Sequence, residues 1–334
     1  MRKIVVTGGA GFIGSHVVER IIEEYPDAHV DIIDKMTYAA DIENLRSSLK
    51  RGQRRLHVGD VCDFDLCVRL TRNADCVIHV AAESHVDNSF GNSLHFTRSN
   101  TLGTHALLEA CRLNKVERII HVSTDEVYGE THDGEHVETD MLNPTNPYSA
   151  SKAGADMIVN SYRYSFKLPV IMVRANNIFG IRQYPEKIIP RFCMLGLLNQ
   201  KFTVHGAGLN RRRYLAAEDF ADVIVLLLQR GVQGEIYNVG SDCEYTNLQI
   251  LEMIARELGI NAEKNTTFVA DRPFNDFRYA LNSNKLKALG WKPQRKLEDS
   301  IGGLLAWYKD NFDRYVGLFE SAQEQPDLVT QGGA

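Results

Sequence analysis

A glycine-rich turn between a short strand and a helix places the strongest limit on how this chain can fold. A β-rich run over residues 3–7 is followed directly by Gly8-Gly9-Ala10-Gly11-Phe12-Ile13-Gly14. Gly8 permits a tight turn, Gly11 lets the backbone approach a pyrophosphate, and Gly14 lets the helix pack on the strand. The phosphates would lie at the helix N-terminus, where free N–H groups and the dipole favour anions. Alone, the turn is weak support for a nucleotide site, because glycine-rich loops are common.

The next strand strengthens the case for a dinucleotide site. It covers residues 29–33 and ends at Asp34, about 20 residues past Gly14, where such sites place a ribose-binding acid. A carboxylate there accepts a hydrogen bond from the ribose 2′-OH and would repel a 2′-phosphate, which favours NAD over NADP. The alternative is that Asp34 only starts a turn.

Strands and helices continue to alternate along the first half of the chain. Further strands are predicted at residues 55–58, 75–80, 118–122 and 169–173, with a helix over 100–114. This order predicts an α/β fold with a doubly wound parallel sheet of the Rossmann type. We expect the nucleotide-binding domain to span 1–175, with 217–240 returning to it. Residues 176–216 and 241–320 are expected to form a smaller, mixed C-terminal substrate-binding lobe, and 321–334 a flexible tail.

Composition limits the classes of function. The 334 residues are 44% hydrophobic and 24% charged, as in an ordinary globular protein. The net charge of −5 gives no basic signal for nucleic acid, and no apolar run is long enough to cross a bilayer. Six cysteines are scattered without a Cys-x-x-Cys pair, so we expect reduced thiols, no metal site and a cytoplasmic protein. The N-terminal residues predict a strand rather than a signal peptide.

A predicted helix carries two groups suited to proton transfer. Tyr148 and Lys152 are four residues apart, so both side chains project from one helix face. Asn146 and Pro147 are suited to begin this helix as N-cap and first-turn residues. An ammonium beside a phenol favours the phenolate, so we expect a lowered pKa for Tyr148. The alternative is a chance spacing, with a packed tyrosine and a solvated lysine.

Two acidic residues precede this helix in the chain. Thr124, Asp125 and Glu126 come just past the apolar strand at 118–122. Open parallel sheets bind their ligands at the carboxyl ends of the strands, so these side chains are candidates for the reacting groups. The simpler interpretation is a solvated Asp-Glu turn.

Taken together, the motifs resemble a known family. From Met1 to about Phe312 the chain is similar to the extended short-chain dehydrogenase/reductases, and within them to nucleoside-diphosphate-glucose 4,6-dehydratases of the dTDP-glucose type. The glycine turn and the Tyr148/Lys152 pair mark the superfamily. Five runs mark the dehydratase branch, the third being the most specific: Asp34-Lys35-Met36-Thr37-Tyr38-Ala39, Glu83-Ser84-His85-Val86-Asp87, Ser123-Thr124-Asp125-Glu126-Val127-Tyr128-Gly129, Tyr184-Pro185-Glu186-Lys187 and Asp271-Arg272-Pro273.

The resemblance implies an NAD-dependent lyase that converts a nucleoside-diphosphate hexose, most simply dTDP-glucose, to the 4-keto-6-deoxy sugar. Tyr148 would take the 4-hydroxyl proton while C4 gives hydride to NAD, with Thr124 hydrogen-bonded to that hydroxyl. Lys152 would tune the tyrosine and hold the nicotinamide ribose. Glu126 would then remove the C5 proton, Asp125 would protonate the departing 6-hydroxyl, and the hydride would return to C6. These opposite tasks require environments that separate the pKa values of the two carboxyl groups.

The motifs and the resemblance also predict binding residues. The cofactor set is Gly8, Gly11, Phe12, Ile13, Gly14, Asp34, Lys35, Thr37, Asp60, Val61, Ala81, Ala82, Tyr148 and Lys152. The substrate set is Ser84, His85, Asn177, Glu186, Lys187, Arg212, Asn238, Arg272 and Asn275. Arg212 and Arg272 would bind the diphosphate, since a planar guanidinium can bind it in bidentate fashion. Simpler interpretations are a surface turn at 60–61, a solvated basic turn at 211–213, and loop or cap roles for Asn177, Glu186 and Lys187.

Three departures from the family pattern leave the nucleotide base open among dTDP, UDP, GDP and CDP. Arg211 and Arg213 are more basic than usual, since position 213 is commonly Asp. Asn275 stands where His is frequent, and residues 181–183 differ from the commonest bacterial version. All three departures affect the nucleotide-sugar side.

Other functions stay open at this point. Within the fold they are a 5,6-dehydratase, a 4-epimerase and a decarboxylase, and Asp125 with Glu126 argues against the last two. A non-catalytic NAD-binding protein is a further alternative, although Tyr148 and Lys152 are both present. The resemblance also implies a homodimer that pairs through two helices of each subunit, here 100–114 and 148–166.

Overall fold

The computed structural model describes residues 1–50, 52, 54–271 and 275–324. The strands are β1 (Lys3–Thr7), β2 (His29–Asp34), β3 (Arg54–Val58), β4 (Cys76–His79), β5 (Arg118–Thr124), β6 (Val170–Ala175), β7 (Asn177–Phe179), β8 (Phe202–His205), β9 (Arg211–Ala216), β10 (Ile236–Val239), β11 (Glu244–Thr246) and β12 (Thr266–Val269). The helices are α1 (Phe12–Glu24), α2 (Arg46–Leu49), α3 (Phe64–Thr71), α4 (Val86–Gly91), α5 (Ser93–Phe96), α6 (Gly103–Leu113), α7 (Pro147–Phe166), α8 (Ile188–Leu197), α9 (Ala217–Arg230), α10 (Asn247–Glu257), α11 (Asn284–Lys287), α12 (Leu297–Asp310) and α13 (Phe312–Glu324). A π-helical segment, Thr97–Leu102, leads into α6, and a 3-10 turn, Asp125–Tyr128, follows β5.

A seven-stranded parallel sheet forms the centre of the molecule. Its strand order is β10-β6-β5-β4-β1-β2-β3, and each neighbouring pair runs parallel. Helices α1 and α9 pack on one face, and α3, α6 and α7 pack on the other. The prediction of a doubly wound Rossmann sheet is confirmed. The order changes direction between β1 and β4, and this is the point at which such sheets bind their ligands.

The inner strands of this sheet are apolar because both of their faces are covered. Ile4, Val5 and Val6 of β1 are fully buried, as are Val77 and Ile78 of β4. Parallel strands buried on both sides have near-continuous apolar runs rather than alternating ones. This explains why the strands could be recognised in the sequence without a period-two pattern.

A smaller lobe contains two short sheets. Strand β9 pairs parallel with β7 and antiparallel with β11, and β12 pairs parallel with β8. Helices α8, α10, α12 and α13 surround an apolar core of their own. The expectation of a smaller mixed lobe is therefore confirmed. Residues 211–213 belong to β9, so the alternative of a solvated basic turn is wrong.

The first four residues of the predicted flexible tail belong to a helix. Helix α13 extends through Glu324, so residues 321–324 of the predicted flexible tail are helical. Residues 325–334 lie outside the described part of the chain. Among the residues that the structure describes, no helix combines the length and apolar content needed to cross a membrane.

Candidate active site

Two cavities meet at the carboxyl ends of the parallel strands. The first extends from the glycine turn to the start of α7, and the second lies against the smaller lobe. The two cavities share the lining residues Ser84, Glu126, Asn177, Ile178, Gln183, Glu186 and Lys187. A ligand in one cavity can therefore contact a ligand in the other near Glu126.

The structure brings the whole predicted cofactor set to the first cavity. Gly8 has a φ of +71°, and a Cβ atom there would lie 2.7 Å from the backbone of Ala81. A Cβ on Gly14 would lie 2.0 Å from the carbonyl oxygen of Gly8. Only glycine fits at these two positions, because real Cβ atoms do not approach backbone so closely. The close packing leaves the N-terminus of α1 open to the cavity.

Asp34 ends β2 at the wall of this cavity. Its carboxylate accepts hydrogen bonds from the backbone N–H groups of Ala10 and Met36, each at 2.9 Å. Burial raises the pKa of Asp34, and these backbone donors oppose that rise. The acid is thus tied to the glycine turn itself. On the same wall, Lys35 forms an ion pair of 2.9 Å with Asp60.

Helix α7 begins as the sequence predicts. Asn146 accepts a hydrogen bond from the N–H of Ser149, the Ser149 hydroxyl accepts one from the N–H of Asn146, and Pro147 follows the cap. This capping box fixes the first turn of the helix, which carries Tyr148. Tyr148 and Lys152 are both buried and both line the first cavity.

The pKa of Tyr148 is raised, not lowered as expected. Burial is the main cause, the charge of Glu126 adds to it, and a hydrogen bond with Thr124 opposes it. Lys152 donates from Nζ to the carbonyl oxygen of Val122 at 2.7 Å, and burial lowers its pKa to about 8. The expectation of a lowered tyrosine pKa is therefore wrong, because the removal of the phenol from water and the neighbouring carboxylates outweigh the hydrogen bond that favours the phenolate.

Asp125 and Glu126 lie together in the 3-10 turn after β5. Burial raises the pKa of Asp125 to about 6, and burial with the neighbouring Asp125 charge raises that of Glu126 to about 7. Thr124 Oγ1 donates to Asp125 Oδ1 at 3.2 Å. The two pKa values lie close together, so the shared burial does not by itself provide the separation that the two assigned tasks require. Such a pair tends to hold a single proton near neutral pH.

Two asparagines bind the acid pair, and sequence reasoning missed their role here. Asn176 Nδ2 donates to Asp125 Oδ2 at 2.7 Å, and Asn146 Nδ2 donates to Glu126 Oε2 at 3.3 Å. The available signal for Asn176 was its place directly after β6, at the same sheet edge as Asp125. Asn146 was interpreted only as a helix cap.

The second cavity receives most of the predicted substrate residues. Ser84, His85, Asn177, Glu186, Lys187, Arg212 and Asn275 all line it. Glu186 accepts a hydrogen bond from the hydroxyl of Tyr38 at 3.3 Å, and burial raises its pKa to about 7. Lys187 Nζ donates to the carbonyl oxygen of Ser84 at 2.9 Å. Because Glu186 and Lys187 line both cavities, these contacts form a polar wall that continues from one cavity into the other.

Arg212 lies on the far side of this cavity. Its guanidinium is 4.5 Å from the ring centroid of Tyr279 and donates to the carbonyl oxygens of Asp276 and Phe277 at 2.8 and 3.2 Å. Stacking and carbonyl contacts of this kind fix a guanidinium in position. Asn275, which also lines this cavity, is held in position by a hydrogen bond from its Nδ2 to Asp271 Oδ1 at 3.0 Å.

Two described positions that the sequence connects with the substrate, Asn238 and Arg213, are not among the residues that line this cavity. Asn238 is fully buried, accepts from the Tyr128 hydroxyl at 2.8 Å and donates to the His136 carbonyl at 3.0 Å, so it supports the fold. Arg213 points to the opposite face of β9 and forms an ion pair of 2.7 Å with Glu135, so its departure from the family pattern does not alter the nucleotide cavity. Arg272 lies outside the described residues.

The sheet, the glycine turn and the Tyr148/Lys152 pair define an extended short-chain dehydrogenase/reductase. Comparison with known families makes this assignment more specific. Residues 5–303 match the family described as GDP-mannose 4,6 dehydratase, and the chain belongs to that family.

Similar proteins fall in the same group. The chain is 45% identical over 339 residues to a trifunctional UDP-glucose 4,6-dehydratase/UDP-4-keto-6-deoxy-D-glucose 3,5-epimerase/UDP-4-keto-L-rhamnose-reductase of Arabidopsis thaliana, covering 99% of this chain but 51% of that protein. It thus spans about half the length of that relative.

Other similar proteins match over nearly their full length. The chain is 41% identical to dTDP-D-glucose 4,6-dehydratase of Mus musculus, and the match covers 97% of this chain and 94% of that protein. The structure of DesIV, a dTDP-glucose 4,6-dehydratase from Streptomyces venezuelae solved with NAD bound, matches with a TM-score of 0.92 and 37% identity over 95% of this chain and 99% of that one.

Proposed function

We propose that this protein is an NAD-dependent lyase that dehydrates a nucleoside-diphosphate hexose to its 4-keto-6-deoxy product. The observation that carries the proposal is the position of Glu126, which lines both cavities, beside Asp125 and Thr124 and close enough to Tyr148 to raise its pKa. An acid pair next to the proton acceptor of an oxidation is what elimination of water from an oxidised sugar requires.

The first cavity fits NAD. Its glycine turn packs so closely on neighbouring backbone that only glycine fits at Gly8 and Gly14, and Asp34 ends the second strand as a ribose acceptor. The carboxylate would repel the 2′-phosphate of NADP. When bound, NAD supplies an acceptor for the C4 hydride and later the donor that reduces C6. Tyr148 and Lys152, at the far end of the cavity, would lie beside the reacting ring and its ribose.

In the oxidation step, Tyr148 takes the proton of the 4-hydroxyl. Burial raises its pKa, so the step requires positive charge nearby, and Lys152 is the basic residue on the same helix face. Thr124 holds the same hydroxyl and already hydrogen-bonds with Tyr148. These residues orient the C4–H bond toward the cofactor cavity.

In the elimination step, the acid pair acts on neighbouring carbons. Glu126 takes the C5 proton, which the 4-keto group has made acidic, and Asp125 gives a proton to the C6 oxygen as water leaves. The pair shares about one proton near neutral pH, and the higher pKa of Glu126 favours that proton on Glu126 at rest. Elimination requires the proton on Asp125 and an ionised Glu126, and we propose that this arrangement forms when the oxidised sugar lies against the pair. After reduction of C6, Glu126 returns a proton to C5.

The second cavity would hold the nucleoside diphosphate. Arg212, fixed by Tyr279, offers its guanidinium to the phosphates, and Lys187 lies at the junction of the cavities. Arg272 is proposed as a second phosphate ligand. Ser84, His85, Asn177, Glu186 and Asn275 are proposed to contact the sugar and the nucleotide.

The favoured substrate is dTDP-glucose, and UDP-glucose is a second candidate. Relatives named dTDP-D-glucose 4,6-dehydratase match nearly end to end, whereas the 45% identical relative from Arabidopsis thaliana carries UDP-glucose 4,6-dehydratase in its name. Incubation with dTDP-, UDP- and GDP-glucose, followed by mass spectrometry, tests the proposal. Loss of water from one of them supports it, and the preferred base follows from the relative kcat/KM values. No water loss from any of the three would contradict it.

The two-lobe organisation remains a proposal as well. We propose a cofactor domain of residues 1–175 and 217–240, and a substrate lobe of 176–216 and 241–320. The pairing of β10 with β6 and the separate apolar core of the small lobe support this division. Limited proteolysis with and without NAD would test it, since protection by NAD should fall mainly on the first set.

We further propose that two copies pair through α6 and α7. Large apolar side chains are exposed on this surface, namely Leu102, Leu113, Met157, Tyr164 and Phe166. Light scattering would show a dimer, and Met157→Glu would weaken it. The free cysteines found among the described residues fit the cytoplasm as the proposed location.

A further inference from the structure

Asn176 stands between the end of β6 and the acid pair. It is buried, and its Nδ2 lies 2.7 Å from Asp125 Oδ2, the shorter of the two hydrogen bonds between side chains that this carboxylate receives. We propose that Asn176 is a positioning residue for the dehydration step, holding Asp125 toward the C6 oxygen and making it a stronger acid. This inference rests on the proposed lyase function and adds a residue to it.

The amide of Asn176 can hydrogen-bond with the Asp125 carboxylate in only one of its two orientations. Its Oδ1 is buried and has no hydrogen-bond partner among the described residues. A Cβ atom on Gly240 would lie 2.1 Å from that oxygen, which shows how closely the oxygen packs on the Gly240 backbone. Turning the amide over would place its oxygen against the ionised Asp125 carboxylate, and two acceptors cannot hydrogen-bond with each other. The donor side therefore faces Asp125.

A fixed donor favours the ionised form of the acid that it contacts. Asp125 gives its proton to the C6 oxygen, the C6–O bond breaks, and water leaves with the electron pair while Glu126 takes the C5 proton. Asn176 stabilises the carboxylate that this transfer produces. The hydrogen bond from Asn176 is also the largest of the influences that oppose the rise in the Asp125 pKa caused by burial.

Three other charged or titratable groups lie around Asp125. Glu126 belongs to the same turn, Tyr148 to α7 and Arg212 to β9. Arg212 also lowers the pKa of Asp125, but through space rather than by a hydrogen bond. Among these groups, none takes the place of the donor that Asn176 provides, so its removal leaves one oxygen of Asp125 without that bond.

Gly240 provides a way to disturb Asn176 without changing it. The residue follows β10, its N–H donates to the hydroxyl of Ser283 at 2.9 Å, and its Cα faces the Asn176 amide. The added methyl group of Gly240→Ala would have to displace that amide from Asp125. Of the neighbours that this methyl group would meet, Asn176 is the one that lines a cavity.

The test compares Asn176→Ala and Gly240→Ala with the native enzyme, using the sugar nucleotide that the native enzyme dehydrates best. Both variants should oxidise C4 normally, because Tyr148 and Thr124 are unchanged, but should dehydrate about tenfold to a hundredfold more slowly. NADH should therefore accumulate on the enzyme during turnover, visible by its absorbance. Because Asp125 must be protonated to act, loss of the donor should also move the high-pH limb of kcat to higher pH.

Controls separate this role from a general loss of structure. Asn114→Ala removes an amide that binds Val68 and Thr71 far from the site, and Gly303→Ala adds a methyl group where nothing lies within 4 Å. Both should show no NADH accumulation and an unchanged pH profile. If Asn176→Ala does not fold, Gly240→Ala carries the same test. Slower turnover without NADH accumulation and without a moved pH limb would overturn the inference, whereas an inactive native enzyme would instead overturn the proposed function.

Discussion

Burial governs the charges of single residues in this site. It raises the pKa values of Tyr148, Asp125 and Glu126 and lowers that of Lys152. Each change favours the neutral form, because the groups are removed from water. Proton transfer by these residues therefore depends on the charges that lie next to each of them.

Replacement of the tyrosine hydroxyl tests the oxidation step. Tyr148→Phe should lower the rate of C4 oxidation by at least about a hundredfold, because the proton acceptor is lost. Its thermal unfolding should change little, since the ring remains beside Phe96. Single-turnover NADH formation measures the effect. Native-like NADH formation by this variant would rule out Tyr148 as the base, and Tyr25→Phe, at a tyrosine that lines neither cavity, is the matched control.

The acid pair should make stability depend on pH. The folded pKa values of Asp125 and Glu126 lie above their ordinary values of 3.8 and 4.5, at about 6 and about 7. The folded state therefore holds more protons than the unfolded state between about pH 4 and 7, and stability falls as pH rises through this window. Above it, the two buried charges cost on the order of a few kcal/mol in total.

Chemical denaturation across this pH range measures the effect. Asp125→Asn should flatten the fall in unfolding free energy and raise stability at pH 8, because one buried charge is removed. Asp65→Asn, at an exposed acid of α3, should leave the curve unchanged. An Asp125→Asn protein whose stability falls with pH as steeply as the native protein's would contradict the assignment.

At the scale of elements, the start of α7 links helix stability to chemistry. Asn146 caps the helix through its side-chain oxygen and donates to Glu126 through its side-chain nitrogen. A serine at this position keeps the cap but has no amide, whereas an alanine keeps neither.

These two substitutions should separate the two roles. Asn146→Ser should unfold at nearly the native denaturant midpoint, while Asn146→Ala should lose about 1 kcal/mol. Both should slow elimination to a similar degree, because both remove the donor to Glu126. Loss of activity in Asn146→Ala alone would show that the cap, and not the amide, matters for turnover.

The strand–turn–helix unit at the N-terminus requires glycine at position 14, because a side chain there would collide with the turn. In Gly14→Ala the methyl group would lie 2.0 Å from the Gly8 oxygen and 2.8 Å from the Gly9 Cα, so the backbone must move. NAD binding measured by calorimetry should weaken at least about tenfold, since the phosphate-facing turn is displaced. Gly317→Ala in α13, where nothing lies within 4 Å, is the matched control. Unchanged affinity in Gly14→Ala would contradict the assigned role of the turn.

How far the sequence predicts the structure differs between elements. The strands of the large sheet and helix α9 could be predicted, because their apolar runs and turn residues are local signals. Strand β9 could not, since its arginines are paired by Glu135 and Glu244, which are distant in sequence. The role of Asn176 could not be predicted for a similar reason, because its contact with Asp125 joins the ends of two strands that are distant in sequence. The raised pKa of Tyr148 depends on burial, which no sequence spacing reveals.

At the scale of the whole molecule, the site is built from both parts of the chain. The large sheet contributes the glycine turn, Asp34 and the acid pair, and the smaller lobe contributes Arg212 and Asn275. The residues of the 176–187 segment that line both cavities form their junction, where a sugar attached to a nucleotide would meet the cofactor; they are Asn177, Ile178, Gln183, Glu186 and Lys187. A single small-molecule cavity would not require this division, so the arrangement fits a long, two-ended substrate.

The most direct test of the lyase account is turnover of dTDP-glucose and UDP-glucose in deuterated water, followed by proton NMR and mass spectrometry. The account predicts loss of water, a 6-methyl group, one deuterium at C5 and no net consumption of NAD. Glu126→Gln should form bound NADH but no methyl product. Loss of water to an exocyclic 5,6-alkene, or a product with its 6-hydroxyl retained, would contradict 4,6-dehydration.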